Sequence, residues 1–496
     1  MLRVGLITTG LVVLGLGGVG VAAAPPQAES AARHAMTRVS RSTPFVADCN
    51  GAHPPTAAYV DAEVEPYVAV DPRHEQQMIA VYQEDRYPND GANGVLAART
   101  SDGGATWSVP PLAAQPSFAR CSRGDAPNGG DYEKASDPWV SFDSEGRAYF
   151  VAVSYNDSNW DTSELVSTSS DQGRTWGPPA TLIRDNQDNL IDDRPAVTAD
   201  PTRAGTAYVV WERHFSAPAD KARGEVYFAT TRDGGRSWST ARPIYRTPLA
   251  QQTSANQIVV LPNGDLLNVF TQLALGAGST HPRRDRILLI RSTDGGRSWS
   301  PPTAVARTLV KGVDDPRTGD TVRVGDSFSD VAVDPRTGTD NVYVVWGDAR
   351  FTQDGSQQIA LVRSSDGGQT WGAPRDVSSN RRTQAFVPPS VAVDGQGAVG
   401  VTYYDFTADS VRSRALATDY WFTQSNDRGK SWSSRQQVTT RPFDLRSAPY
   451  NGGFFLGEYQ GLAGTRAKFI TTATITNDRN LLNRTDIFAM QLPRPR

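Results

Sequence analysis

The chain has 496 residues, enough for one large core or several. Charged residues make up 21% and the formal net charge is −3, so neither nucleic-acid binding nor a basic membrane patch is expected. Its 5 histidines show no HExxH or paired spacing, and there is no Gly-x-Ser-x-Gly elbow or phosphate loop.

Taken in chain order, Met1-Leu2-Arg3 is a short positive start. An apolar, Gly-rich run from Val4 to Val21 follows, with small residues at Val21-Ala22-Ala23. Residues 1–23 therefore read as a secretory signal peptide, which predicts a secreted, extracellular protein. Residues 24–43 carry no packing pattern and are predicted to be a disordered linker. Residues 44–496 read as one domain. No later segment approaches ~20 continuous apolar residues, so no membrane insertion is expected. The 2 cysteines, Cys49 and Cys121, are expected to form one bridge in an exported chain, with two free thiols as the alternative.

A pattern Ser/Thr-x-Asp-x-Gly-x-Ser/Thr-Trp then recurs six times. Its acids are Asp102, Asp171, Asp233, Asp294, Asp366 and Asp427, and its tryptophans fall 61 to 72 residues apart. An active site is usually built once, so a sixfold device reads as a structural staple. The Asp carboxylate suits a turn, accepting from nearby N–H groups or a hydroxyl. The glycine two positions on can take φ > 0, and the Trp can wedge between sheets. A calcium loop of EF-hand type needs more spaced oxygen ligands than any copy supplies.

Strand-like runs precede each box. First runs include Tyr67–Val70, Trp139–Phe142, Ala196–Ala199 and Ser390–Val393. Second runs include Met78–Tyr82, Ala207–Trp211, Val342–Trp346 and Val399–Tyr404. Turns such as VDPRTG and LPNGD separate them. Runs like VYVVW are apolar at successive positions, which suits sheets covered on both faces. The prediction is an all-β chain, a β-propeller of four-stranded blades. Six boxed units and one unboxed unit from Gly457 predict seven blades, with six as the alternative. Pro44–Ala47 is expected to supply the last outer strand and close the ring.

The repeat resembles the Asp-box, or bacterial neuraminidase repeat, of the sialidase superfamily. The resemblance implies boxes on outer hairpin corners, away from a catalytic face. It also implies three arginines for a substrate carboxylate, a tyrosine nucleophile assisted by a glutamate, and an aspartate acid/base. The family's first arginine lies in a Phe/Tyr-Arg-Ile-Pro motif, but Val64-Glu65-Pro66 stands there in this chain. Asp90, in YPNDGANG, matches the acid/base loop. Asp193-Arg194-Pro195 echoes the arginine motif in a later unit.

Propeller sites form where first strands enter and second strands leave the axis. That rule brings forward Glu63, Glu65, Asp137, Asp193, Asp326, Asp330 and Glu458 on entry, and Glu84, Asp85, Arg86, Asp348 and Asp405 on exit. Asp90, Glu212, Tyr404 and Tyr459 are the catalytic candidates, and Arg194, Arg213 and Arg350 the substrate-binding ones. No metal or cofactor is expected; Ca²⁺ at the acidic runs 185–193 and 314–320 is the alternative to solvated loops. The expectation is a monomeric, secreted, sialidase-like glycoside hydrolase, of exo-sialidase type or a relative, acting on an extracellular glycan or glycoprotein. The alternative is a non-catalytic glycan- or protein-binding propeller.

Overall fold

The structure is a computed structural model and describes residues 35–50, 57–218, 221–274, 284–325, 328–378, 383–410 and 412–493. The segment read as a signal peptide and Asp326 lie outside these residues. The described chain is almost entirely antiparallel β-structure with three single-turn 3₁₀ segments. No described helix is long and apolar enough to cross a membrane.

The strands follow one another as meanders. Leu190–Ala199, Ala207–Phe215, Arg223–Thr231 and Arg242–Arg246 form one of them, each strand hydrogen-bonded to the next. The first strands of successive meanders face each other in chain order. Val64–Val70 packs on Lys134–Phe142, which packs on Leu190–Ala199. Then come Gln251–Val260, Ser329–Val333, Ala385–Val393 and Gly461–Gly464, and the last returns to Val64–Val70. No described sheet closes on itself; the circuit is made by packing between meanders, with single backbone pairs, Ala92 with Ala135 and Arg223 with Gln251, joining two neighbouring couples.

The continuous apolar runs explain that packing. Val342–Asp348 is buried at every position because a neighbour covers each face. Val269, Ile287 and Leu289 of one sheet meet Val342, Val344 and Trp346 of the next in a shared cluster. Buried apolar clusters of this kind recur between the meanders, and burial of apolar area is their main source of stability.

The first and last described strands meet in one sheet. Met36–Arg38 pairs antiparallel with Thr485–Pro493, with Met36 opposite Met490. This corrects two expectations: residues 36–38 are a strand rather than linker, and they, not Pro44–Ala47, supply the outer strand. Phe45 is instead buried, its ring so close to Gly94 that a Cβ there would stand 2.8 Å from it. Cys49 and Cys121 form a disulfide with Cα atoms 4.8 Å apart, tying this entering segment to the loop after the first meander.

The six repeated turns share one hydrogen-bond scheme. In the fifth, Ser364 Oγ donates to Asp366 Oδ1 at 2.6 Å and accepts from Gly368 N–H at 2.8 Å. Thr370 N–H and its hydroxyl complete the carboxylate. The scheme recurs at Asp102, Asp171, Asp233, Asp294 and Asp427. Gly368 has φ 87°, and a Cβ on it would sit 3.1 Å from Leu289 of the preceding sheet. Arg99, Arg232 and Arg291 reach across to carbonyls of the next unit's turn. These three turns therefore stitch neighbouring meanders. In the third meander Thr231, where the turn begins, lies opposite Ala207, while Arg223 lies opposite Phe215. The turns thus occupy the strand ends opposite to those where first strands start.

Candidate functional site

Five first strands carry a register slip; one falls between Phe386 and Ser390, and the other four share one form of bulge. The register slips between Val64 and Tyr67, Ser136 and Trp139, Asp193 and Ala196, and Ser254 and Gln257. The extra residue is left-handed in each: Glu65 (φ 55°), Asp137 (φ 53°), Arg194 (φ 54°) and Ala255 (φ 56°). In three of them a proline follows, tolerated because a bulge leaves no ladder N–H to lose. Such backbone costs of order 1 kcal/mol or more at each non-glycine position, and it persists only where the surroundings fix it. Its effect is to re-aim the Glu65, Asp137 and Arg194 side chains into a common cavity of about 500 Å³.

Three guanidinium groups and a chain of carboxylates organise this cavity. Glu458 Oε1 accepts from Arg323 Nε at 3.0 Å, and its Oε2 accepts from Arg194 Nη2 at 2.9 Å. Arg194 Nη1 lies 3.4 Å from Asp193 and 3.5 Å from Glu212. Arg86 is bound to Asp90, which Arg323 also approaches at 3.6 Å. The guanidiniums of Arg86 and Arg323 lie 4.6 Å and 4.8 Å from the centre of the Phe455 ring, within cation–π reach. Glu65 accepts from Glu458 N–H at 3.0 Å and from Gln83.

The carboxylates fall into two protonation classes. Burial pushes Glu65 up to about 7; Arg86 opposes the shift and Glu458 adds to it. Burial likewise raises Asp137 and Asp193. At Asp90 the surrounding protein acts upward, but Arg86 and Arg323 outweigh it and hold the half-exposed carboxyl below its ordinary range. At Glu458 burial is outweighed by Arg194 and Arg323, so its pKa is lowered. His214 lines the same wall, its Nε2 3.2 Å from Glu212 Oε2. Burial works against the imidazolium, and Glu212 more than restores it, so the His214 pKa is raised.

Below this cavity lies a narrow apolar neck of about 40 Å³. Tyr67 stacks on Trp139 with ring centres 3.7 Å apart, and Tyr459 leans on Trp139 at 5.3 Å.

Of the sequence-derived candidates, Asp90 and Arg194 line the cavity. Glu212 is fully buried behind them and accepts from Ala255 N–H at 2.6 Å. Tyr459 lines the neck and donates to the Pro138 carbonyl at 3.1 Å; burial raises its pKa, which keeps the phenol protonated. Tyr404 does not reach the cavity. It is fully buried in the core, its hydroxyl 2.8 Å from Thr474 O and 3.1 Å from Gln460 Oε1, so it has no route to a substrate. Arg213 stands in the side of the third meander, paired with Asp185 at 2.7 Å. Arg350 is clamped by Asp348 at 2.7 Å. Neither lines the cavity. The acidic runs are largely spent internally: Asp185 on Arg213, Asp192 on Trp211 Nε1 and Asp315 on Arg446. Among the described residues no group of three or more His, Cys, Asp or Glu is arranged to hold a metal ion.

Arg323, Tyr155, His214 and Trp160 were not reached by sequence reasoning as site residues. Thr321–Arg323 belongs to a separate small sheet with Val313–Asp314 and Phe454–Phe455. The one available signal was the longest interval between box tryptophans, Trp299 to Trp371, which holds this insertion.

An all-β chain of stacked meanders with an acid- and arginine-lined cavity at the strand starts is thus the class defined by the geometry. Residues 120–308 match the model of the BNR repeat-like domain family. That stretch is thus similar to the BNR repeat-like domain family, in line with the sialidase-superfamily resemblance seen in the repeats. No curated protein sequence matches the chain. Among solved structures it is similar to an α-L-arabinofuranosidase from Fusarium graminearum, at 12% identity over 75% of this chain and 92% of that one, TM-score 0.47. A Hadza microbial sialidase is similar at 16% identity over 73% and 67%, TM-score 0.47. An α-L-arabinanase from Penicillium chrysogenum is similar at 11% identity over 92% and 97%, TM-score 0.45.

Proposed function

We propose that the protein is a secreted, monomeric seven-bladed β-propeller with six Asp-boxes, and that its axial cavity processes extracellular glycans as a glycoside hydrolase related to the exo-sialidases. The observation that carries this reading is the split among the cavity carboxylates. Asp137 and Asp193 are pushed toward the protonated form by burial, while Asp90 and Glu458 are held ionised by arginines. Glycosidic cleavage needs such a pair: one acid to protonate the leaving oxygen, and one carboxylate to support an oxocarbenium-like centre or activate water. The circuit of first strands supports the ring, and the disulfide supports an oxidising compartment.

One feature favours the non-catalytic, glycan-binding reading as the second. Arg86, Arg194 and Arg323 are already paired with protein carboxylates, and neither candidate tyrosine is poised as a nucleophile. Hydrolysis of fluorogenic α-sialosides, α-L-arabinofuranosides and galactosides by wild type, Asp90→Asn and Asp193→Asn separates the two. Turnover of any of them that falls by about 10²-fold or more in the variants supports hydrolysis. Turnover unaffected by both variants refutes the assignment of the cavity, and binding without turnover selects the second reading.

A further inference from the structure

The rim of the cavity carries a large apolar side chain that the core does not take up. Trp160 lines the cavity yet is 60% exposed. Its backbone is left-handed, with φ 60°, an unfavourable state for a bulky residue. Both the exposed indole and the backbone work against folding, so the surroundings must impose them.

The surroundings do so with buried polar groups. Asn156 N–H closes the loop onto the Asp161 carbonyl at 2.8 Å. Glu133, itself 6% exposed, accepts from Asp157 N–H at 2.9 Å and Ser158 N–H at 3.3 Å. Lys134, 1% exposed, holds the Asp157 carboxylate at 2.5 Å. Arg184 Nε anchors Asp161 at 2.9 Å. The indole is thus presented on a loop pinned at both ends, so little conformational entropy remains to be lost when a ligand stacks on it.

The wall beside it defines the ligand class. Eight Asp and Glu residues line the cavity against three arginines and one histidine. The arginines are already bound to protein carboxylates. Such a wall is rich in hydrogen-bonding groups and leaves an anion no free arginine to pair with. A neutral sugar satisfies both parts: its hydroxyls donate to the carboxylates, and its C–H face covers the indole. We propose that Trp160 is a stacking subsite for a neutral sugar unit of a glycan whose adjacent unit enters the cavity. The proposal rests on the glycan reading above.

The test is binding of the full-length mature protein to short neutral arabino-, galacto-, gluco- and manno-oligosaccharides and to oligogalacturonates. Calorimetry is run on wild type, Trp160→Ala and Trp160→Phe. The expected result is binding of at least one neutral series, weakened roughly tenfold or more in Trp160→Ala and largely kept in Trp160→Phe. Oligogalacturonate binding should be weaker than the neutral series by a similar factor. Equal binding by wild type and Trp160→Ala would overturn the subsite and leave the glycan reading standing. Preference for the oligogalacturonate would overturn the neutral class. Absence of any glycan binding by wild type would sink both readings, and a protein partner would then be the occupant to seek. Because the indole is exposed, Trp160→Ala is expected to melt with wild type; if it does not, Trp160→His serves as the folded comparison.

Discussion

Replacing Glu458 by Gln is expected to loosen the cavity and shift a titration at the same time. Glu458 is 6% exposed and bridges Arg323 at 3.0 Å and Arg194 at 2.9 Å. Gln keeps the shape but offers one neutral acceptor and turns an N–H₂ toward the other guanidinium. Hydrogen bonds to charged groups are worth about 1.5–3 kcal/mol each, so the expected cost is ~2–4 kcal/mol. The remaining links, Arg194 to Asp193 at 3.4 Å and Arg323 to Asp90 at 3.6 Å, pull toward the lower figure. The second effect falls on Glu65, which burial lifts to about 7 against Arg86 and with help from Glu458. The folded state holds this proton more tightly than the unfolded chain. The resulting stability is fully present below the ordinary glutamate pKa of 4.5 and is lost as pH rises through about 7. Removing the Glu458 charge lowers the upper end of that window. Urea unfolding of both proteins from about pH 4 to about pH 8 measures both effects. A difference below about 0.5 kcal/mol at neutral pH, with parallel pH dependence, would falsify the bridge as the organiser of the cavity.

Three other outcomes are expected. Replacing Cys49 and Cys121 together by Ser removes a closure spanning 72 residues and should cost about 4 kcal/mol in denaturant unfolding; an unchanged midpoint would show that Met36–Arg38 pairing alone secures the entry. Tyr404→Phe removes the hydroxyl donor beside the Thr474 carbonyl while Gln460 Oε1 keeps its bond from Thr474 N–H, so a loss of about 1 kcal/mol with unchanged glycan binding is expected; a fully stable variant that lost turnover would return this tyrosine to the mechanism. Asp102→Ala should cost about 1–2 kcal/mol without altering the cavity at the far strand ends. The Thr106 hydroxyl and N–H hold Asp102 at about 2, so its stabilisation is present above the ordinary aspartate value of 3.8 and is lost as pH falls through about 2. Acid unfolding curves of wild type and variant should therefore converge there, and curves that stay separated at that pH would contradict the assigned bonds.

Local chemistry made the turns, and local chemistry is legible in sequence. Each of the six motifs contains its own donor, acceptor and glycine within eight residues, so the scheme at Asp366 follows from residues 364–371 with no distant partner. The antiparallel runs were equally plain, because VYVVW can be buried on both faces only inside stacked sheets. The closing strand was not, since Met36-Thr37-Arg38 has no periodicity of its own and becomes a strand only because Phe488, Ala489 and Met490 offer an open edge. The same division runs through the cavity. Glu65, Asp137 and Arg194 stood at strand entries in the sequence, but their convergence depends on a register slip that forces left-handed backbone at each. Tyr403 and Tyr404 are adjacent in a strand buried on both faces, so nothing local says which side of the sheet each occupies; packing between sheets put them in two different core clusters. Arg323 reaches Glu458 across 135 positions, and no pattern along a chain encodes a contact made only when two insertions pair edge to edge. The sequence by itself determined the repeated unit and its turns, because their energies are set within a few residues. The tertiary structure alone decided which polar side chains share one cavity, because bulges, sheet stacking and ring-spanning ion pairs are properties of the whole circuit.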